Sequence, residues 1–394
     1  MEEVVRITGD GLGVTASGRR ARLATPGDLL APDGAVTPGP HHQAPPCRHF
    51  PECGGCQLQH VDDAAYAAFL RDRVAGALSA QGLAGVEISP PHLSPPNSRR
   101  RAALHAERRG GRVLLGFREE RSRRIVDMRE CHILRPELFA LVGPLRDLMR
   151  GVLSERESAT VRLTLADGGA DVLIEGPAPD GLAATEALTR FAEARGLVRL
   201  AIDDGGGPQD WWTPRPCTVT LGGAAVALPH GAFLQATEDG EAALVAAVRD
   251  AVAGAPTVLD LFAGLGTFAL ALPARVLAVE GALDAALALK AAAARAGRPV
   301  AVEHRDLFRR PLVVAELARF DAVVLDPPRA GAKEQAAELA RSGVPRITYA
   351  SCNPATFARD ARTLVDGSYR LEWVRPVGQF RWSTHVELAA AFTR

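Results

Sequence analysis

The chain has few lysines, few aromatic residues and no net charge. Lys290 and Lys333 are its only lysines among 394 residues, aromatic side chains make up 5%, and 46 basic residues balance 46 acidic ones. With so few aromatic rings the core must rest on Leu, Val and Ala, and the zero net charge argues neither for nor against a polyanionic partner. No apolar run reaches the roughly 18–20 residues of a membrane span. The acidic start MEEVVRITGDG is not followed by the apolar stretch of an export signal, so a cytoplasmic, reducing environment is expected. Cysteines number six: Cys47, Cys53, Cys56, Cys131, Cys217 and Cys352. In a reducing compartment their spacing points to metal ligands or small buried hydrophobes rather than disulfides.

A hydrophobic content of 47% over this length can bury a sizeable core in two or three domains. Within a first segment of residues 1–40, residues 1–30 alternate like short strands around GDGLG, and a Pro-, Gly- and His-rich stretch at 37–46 reads as a linker. Beyond CRHFPECGGCQLQH, the run VDDAAYAAFLRDRVAGALSAQ has helical apolar spacing and ends near Gly82. Short strand-like runs such as RAALHAE, RVLLGF, ATVRLTLA and ADVLIEG suggest an α+β module with an antiparallel sheet over 41–228. From 229 to 394 the texture becomes strand–helix repeats. TVLDLFAG, RVLAVEG, FDAVVLDPP and RITYASCNP are apolar strands ending in small or acidic residues, as in a doubly wound α/β sheet.

In such a sheet the strand ends share one crevice. VLDLFAGLGTFALAL reads as strand, turn and helix, with Gly264 and Gly266 letting the backbone approach a ligand. Glu280 ends the next strand, where a carboxylate can accept from both hydroxyls of a ribose. A nicotinamide cofactor remains open, although the third glycine of its fingerprint is missing. Asp306 and Asp326 close further strands, and charged carboxylates at the ends of apolar strands fit a ligand pocket better than a core. Cys352 is placed at the same edge by RITYASCNPAT, either as a nucleophile or as a small buried thiol. Near the C-terminus, Glu387 lies in an apolar run that would raise its pKa toward the range of a general base; His385 is the weaker candidate.

HGAFLQAT, DLFAGLGTF, DPPRAG, YASCNPAT and THVE, in that order, closely resemble the RNA uracil-C5 methyltransferases. The resemblance implies a class I S-adenosylmethionine-dependent methyltransferase domain at 229–394, with Cys352 as nucleophile and Glu387 as base. The cofactor contacts of the family fall on Gln235, Phe262, Glu280, Asp306 and Asp326, beside Gly264 of the turn. Uracil C5 is too weak a nucleophile to take a methyl group directly, and a thiolate adding at C6 turns the ring into an enolate that can. Thr237 and Thr267 stand where the family often has Asn, and neither is expected to touch the cofactor. GDGLGV and ARLATPGD look like the start of a small RNA-binding β-barrel, a TRAM domain, cut short with no later strands expected.

Cys47, Cys53, Cys56 and the distant Cys131 supply four thiolates, a set that suits zinc or a [4Fe–4S] cluster by spacing alone. The resemblance favours the cluster in a structural role and leans toward 23S ribosomal RNA, with tRNA as the alternative; a non-catalytic RNA-binding iron–sulfur protein is the reading from another class. Residues 97–124 hold ten arginines against three glutamates, a candidate phosphate track in which Arg99, Arg100 and Arg101 are expected to face RNA. No protein partner is evident.

Overall fold

The structure, a computed structural model, describes all 394 residues. It opens with five antiparallel strands: β1 (Glu2–Ile7), β2 (Gly13–Thr15), β3 (Arg20–Ala21), β4 (Leu29–Leu30) and β5 (Val36–Thr37), in the order β3-β2-β1-β4-β5. Strands β4 and β5 follow ARLATPGD, where no further strands were expected from the sequence. Asp28, fully buried, gathers this end of the sheet by accepting from the Thr25 and Gly39 N–H groups and pairing with His42 at 2.8 Å. His41 pairs with Asp62 at 2.9 Å, so the stretch expected to be a linker is pinned at both histidines.

Asp62 caps the helix Asp63–Ala80 by accepting from the Ala65 N–H at 2.8 Å. The helix buries Tyr66, Leu70, Val74 and Leu78, four residues apart, with Phe69 beside them, in one core with the C-terminal sheet. Short strands β6 (Glu87–Ile88) and β7 (His92–Leu93) join the edge strand Arg370–Gly378 of that sheet. The expected 41–228 module is therefore divided, because the apolar stripe of this helix finds its partner in the C-terminal sheet.

The central sheet comprises β8 (Arg101–Arg109), β9 (Arg112–Gly116), β10 (Ser158–Ala166), β11 (Gly169–Glu175), β12 (Arg199–Asp203) and β13 (Gln209–Trp212), ordered β13-β12-β11-β10-β8-β9. It is antiparallel as expected except for β11 and β12, which run parallel and are joined by the helix Gly181–Ala194. Helices Val142–Val152 and Gly181–Ala194 share its core with Leu104, Leu115, Val161 and Leu163. A hairpin of β14 (Thr218–Leu221) and β15 (Ala224–Ala227) packs instead on the C-terminal core.

The C-terminal sheet is built from β16 (Thr257–Leu261), β17 (Arg275–Glu280), β18 (Val300–His304), β19 (Ala322–Leu325), β20 (Arg346–Ser351), β21 (Arg370–Gly378) and β22 (Glu387–Thr393). Their order is β18-β17-β16-β19-β20-β22-β21. The first five in that order are parallel, and β22 runs antiparallel between β20 and β21. Strand order reverses between β16 and β19, where ligands bind in open α/β sheets. No helix of the chain is long and apolar enough to cross a membrane.

Candidate active site

After β16 the backbone enters the left-handed region at Phe262 (φ 62°), Gly264 (φ 55°) and Gly266 (φ 93°). The two glycines serve different ends. A Cβ on Gly264 would stand in open space at the carboxyl edge, whereas a Cβ on Gly266 would lie 2.3 Å from Leu289. Gly264 keeps a path to a ligand open, while Gly266 admits the neighbouring helix Leu283–Arg295. The expected helix after this turn is a series of turns through Ala271, held where the Ala269 N–H donates to Asp260 Oδ2 at 2.9 Å.

Glu280 at the end of β17 accepts from the Gly264 N–H and the Ala282 N–H, both at 2.7 Å, which fixes its carboxylate between the glycine turn and the next loop. Asp306 accepts from the Phe308 and Arg309 N–H groups at 3.0 and 3.3 Å. The exposed ring of Phe308 stands 5.5 Å from that of Phe262, giving the edge an aromatic wall that the sequence reading did not single out. Asp326 follows β19, and its N–H donates to the Leu261 carbonyl across the point of strand reversal.

Cys352 follows β20 and is half-buried. Next to it, Asn353 caps the helix Pro354–Asp366 by accepting from the Ala355 N–H, with Pro354 at the first helical position. The Asn353 amide also donates to the Arg329 carbonyl at 3.0 Å, tying the DPPRAG loop to the thiol. Strand β22 pairs Leu388 with Ser351, so one step further the register sets Glu387 beside Cys352. Gln235, also buried, accepts from the Gln379 amide at 2.6 Å. Thr237 caps the helix Glu238–Ala251, which accounts for its hydroxyl without a cofactor.

The carboxylates of this edge act on one another. Burial and the charges of Asp326 and Glu280 push Asp260 well above the ordinary carboxylate range, and its Oδ1 has no hydrogen-bond partner. Burial and Glu280 push Asp326 up to about 7. Burial and Asp326 push Glu387 up to about 8, with Gln379, Arg101 and Arg329 pulling the other way. Burial, Glu387 and Asp326 raise the Cys352 thiol to about 11, opposed by Arg329. An edge this rich in negative charge disfavours its own ionisation and suits a cationic ligand. His385 accepts from Arg329 at 2.9 Å, and burial and that arginine lower its pKa.

A family model described as tRNA (Uracil-5-)-methyltransferase matches residues 229–394. An uncharacterized RNA methyltransferase of Zymomonas mobilis is 50% identical, with both chains covered in full. A 23S rRNA (uracil(1939)-C(5))-methyltransferase, RlmD, of Halomonas elongata is 35% identical over 87% of this chain and 75% of its own length. The chain belongs to the RNA uracil-C5 methyltransferases. The crystal structure of Pyrococcus abyssi tRNA (uracil-54, C5)-methyltransferase in complex with S-adenosyl-L-homocysteine shares the fold. Its TM-score is 0.76 at 22% identity, covering 100% of this chain and 99% of the other.

In this methyltransferase Cys47, Cys53, Cys56 and Cys131 line a single pocket with Phe117 and Ile133, and all are free thiols. Burial raises all four, Cys53 to about 11 and Cys56 to about 12. No group of three or more His, Cys, Asp or Glu side chains is set to hold a single metal ion. Cys217 is buried in the C-terminal core, as expected of a leftover thiol.

The arginine segment departs most from expectation. Arg100 is 5% exposed, pairs with Glu241 at 2.5 Å and donates to the Gln235 carbonyl at 3.1 Å. Arg99 lies over the rings of Phe117 and Phe380 at 5.8 and 5.4 Å, between the cysteine pocket and the loop that leads to Glu387. Arg101 stacks over Phe233 at 4.4 Å. Arg109 and Arg124 pair with glutamates, and Arg108 donates to the Arg150 and Leu153 carbonyls. Glu107 and Glu119 belong to the segment itself, whereas Glu241 lies far along the chain, so a count of charges in one segment misses the partner of Arg100.

Proposed function

We propose that this enzyme methylates C5 of uridine in 23S ribosomal RNA through a covalent Cys352–C6 adduct, using S-adenosylmethionine. The observation that carries the reading is the pair formed by the Cys352 thiol and the buried Glu387 carboxyl at the neighbouring ends of β20 and β22, within a negative strand edge. The donor set fits the cofactor: Gly264 is open to a ligand, Asp260 keeps an unpaired buried oxygen, and Glu280, Asp306 and Asp326 share the edge. Gln235, Phe262, Gly264, Glu280, Asp306 and Asp326 would hold it. When bound, S-adenosylmethionine supplies an electrophilic methyl group on a positively charged sulfur.

Cys352 as thiolate adds to C6 of the uracil ring, and the electron pair moves toward O4 so that C5 becomes nucleophilic. After C5 has taken the methyl group, Glu387 removes the C5 proton, the ring double bond reforms and the Cys352–C6 bond breaks. Arg329, fixed by Asn353 and lowering both the thiol and the Glu387 pKa, favours the ionised forms that both steps need.

The four thiols on one pocket wall are suited to a structural [4Fe–4S] cluster, and the N-terminal sheet to a TRAM-like RNA-binding element, in a cytoplasmic enzyme. The ribosomal target follows the RlmD relative and the cysteine set. Mapping 5-methyluridine in RNA from a deletion strain tests the proposal. A uridine lost from 23S rRNA and restored by the wild-type gene, but not by Cys352→Ala, is expected; loss from tRNA alone would move the target to tRNA.

A further inference from the structure

We infer that Asp360 is a positioning residue, which fixes the DPPRAG loop from behind and so sets the Arg329 guanidinium against His385, two residues before Glu387. It rests on the reading of Cys352 as nucleophile and Glu387 as base. Asp360 lies in the helix Pro354–Asp366 and is fully buried. Its Oδ2 accepts from the Ala332 N–H and from the Tyr349 hydroxyl, both at 2.7 Å. Its Oδ1 accepts from Arg359 Nε at 2.8 Å. Every neighbour donates, so a carboxylate, which only accepts, satisfies them all where an amide could not. Tyr349 belongs to β20, the strand that leads into Cys352, and its hydroxyl also accepts from the Ala332 N–H at 3.2 Å. One buried carboxylate therefore joins the strand of the nucleophile, the helix that follows it and the end of the DPPRAG loop.

One face of that helix holds the loop step by step, since Asn353, Thr356, Arg359 and Asp360 recur at helical spacing. Thr356 Oγ1 donates to the Arg329 carbonyl at 3.1 Å, beside the Asn353 amide, and Arg359 donates to the Ala330 carbonyl at 3.0 Å. The loop turns at Gly331, whose backbone is left-handed (φ 78°), and a Cβ there would lie 2.6 Å from Asp360 Oδ2. Glycine is what lets the loop backbone reach the carboxylate. On the open side Arg329 and Ala330 are exposed, and the Arg329 guanidinium donates to His385 Nδ1 at 2.9 Å. The other end of the loop is fixed where the Asp326 N–H donates to the Leu261 carbonyl. A backbone held at residues 329, 330 and 332 narrows the positions open to a long, exposed side chain before RNA binds.

Asp360→Asn keeps the volume but turns an amide N–H toward a donor, and Tyr349→Phe removes one hydroxyl while keeping the ring. RNA from a deletion strain grown with 5-fluorouracil supplies the probe. Fluorine at C5 leaves no proton for Glu387 to remove, so enzyme that has added to the ring and transferred the methyl group stays covalently bound through denaturation. With RNA and S-adenosylmethionine in excess, the rate constant of adduct formation reads Cys352 addition and methyl transfer, and the final amount counts folded sites. Asp360→Asn should lower the rate constant about 10- to 100-fold, as loss of hydrogen bonds to a charged group predicts, whatever the final amount. Tyr349→Phe should lower it less, and S-adenosylmethionine affinity should not change in either variant. In an Arg329→Ala background Asp360→Asn should change the rate constant by less than about twofold, because it acts through that arginine. A wild-type rate constant in both single variants overturns the positioning role and leaves the proposed function standing, even if less adduct forms, since the residue then only keeps the fold. An effect of Asp360→Asn that persists in full without Arg329 overturns it as well. A wild type that forms no adduct overturns both.

Discussion

Cys352 and Glu387 are each held in the protonated form by burial and by carboxylates nearby, and this makes their behaviour testable one residue at a time. Cys352→Ala should abolish turnover while leaving S-adenosylmethionine binding within about 1 kcal/mol, measured by calorimetry, because the thiol acts on the base alone. Glu387→Gln should stall after methyl transfer and leave an adduct that survives denaturation; normal turnover without adduct would place the base elsewhere. The same carboxyl links stability to pH. Its folded pKa, about 8, lies above the ordinary glutamate value of 4.5, so its contribution is complete below that ordinary value and is lost as pH rises through about 8. The ligand-free wild type should therefore lose stability across that window, and Glu387→Gln should lose less. Denaturant titrations at pH 5 and pH 8.5 read the difference.

At the scale of single elements, the candidate site depends on how strands end. Asn353 both caps the helix Pro354–Asp366 and holds the Arg329 loop, so Asn353→Ala should cost about 1 kcal/mol of stability by loss of the cap. Activity should fall further than that loss explains, because the DPPRAG loop loses its tether to the thiol. Equal kcat/KM for Asn353→Ala and wild type at a temperature where both are folded would count against this coupling. The glycine turn shows the opposite division of labour. Gly266→Ala drives a methyl group into Leu289 and strains a left-handed backbone, whereas Gly264→Ala meets no atom and carries only the strain. Thermal melts should show the larger loss at Gly266.

For the whole molecule, contacts between modules matter more than the charge of any segment. Arg100 joins the start of the central sheet to the helix Glu238–Ala251 through its buried pair with Glu241 and its bond to the Gln235 carbonyl. Arg100→Ala leaves a buried carboxylate unpaired and should destabilise the fold by about 3 kcal/mol, rather than merely weakening RNA binding. Trp382 packs with Cys56 and Ile133, and its carbonyl accepts from the Gln57 and Leu58 N–H groups, so the cysteine pocket borders the loop that leads to Glu387. Anaerobically purified protein should be brown, with a broad absorption band near roughly 400 nm. Stoichiometric zinc without iron in that material would overturn the cluster assignment.

The strand ends of the C-terminal sheet were legible because apolar runs closing in small or acidic residues obey a local rule. Glu280, Asp306, Asp326 and Cys352 accordingly share one edge, as the sequence implied. The helix Asp63–Ala80 was legible from its apolar spacing. Its partner was not, since an amphipathic stripe records that it must be buried but not against what. Nor was the placement of Gln379, a polar residue with no motif around it, whose partners Gln235 and Ala236 come from a distant stretch of chain. The arginines at 99–101 mark the same boundary. Sequence alone determined that positive charge gathers there, whereas tertiary structure decided that Arg100 is buried against Glu241 and that Arg99 and Arg101 lie over aromatic rings, because pairing and burial depend on neighbours in space.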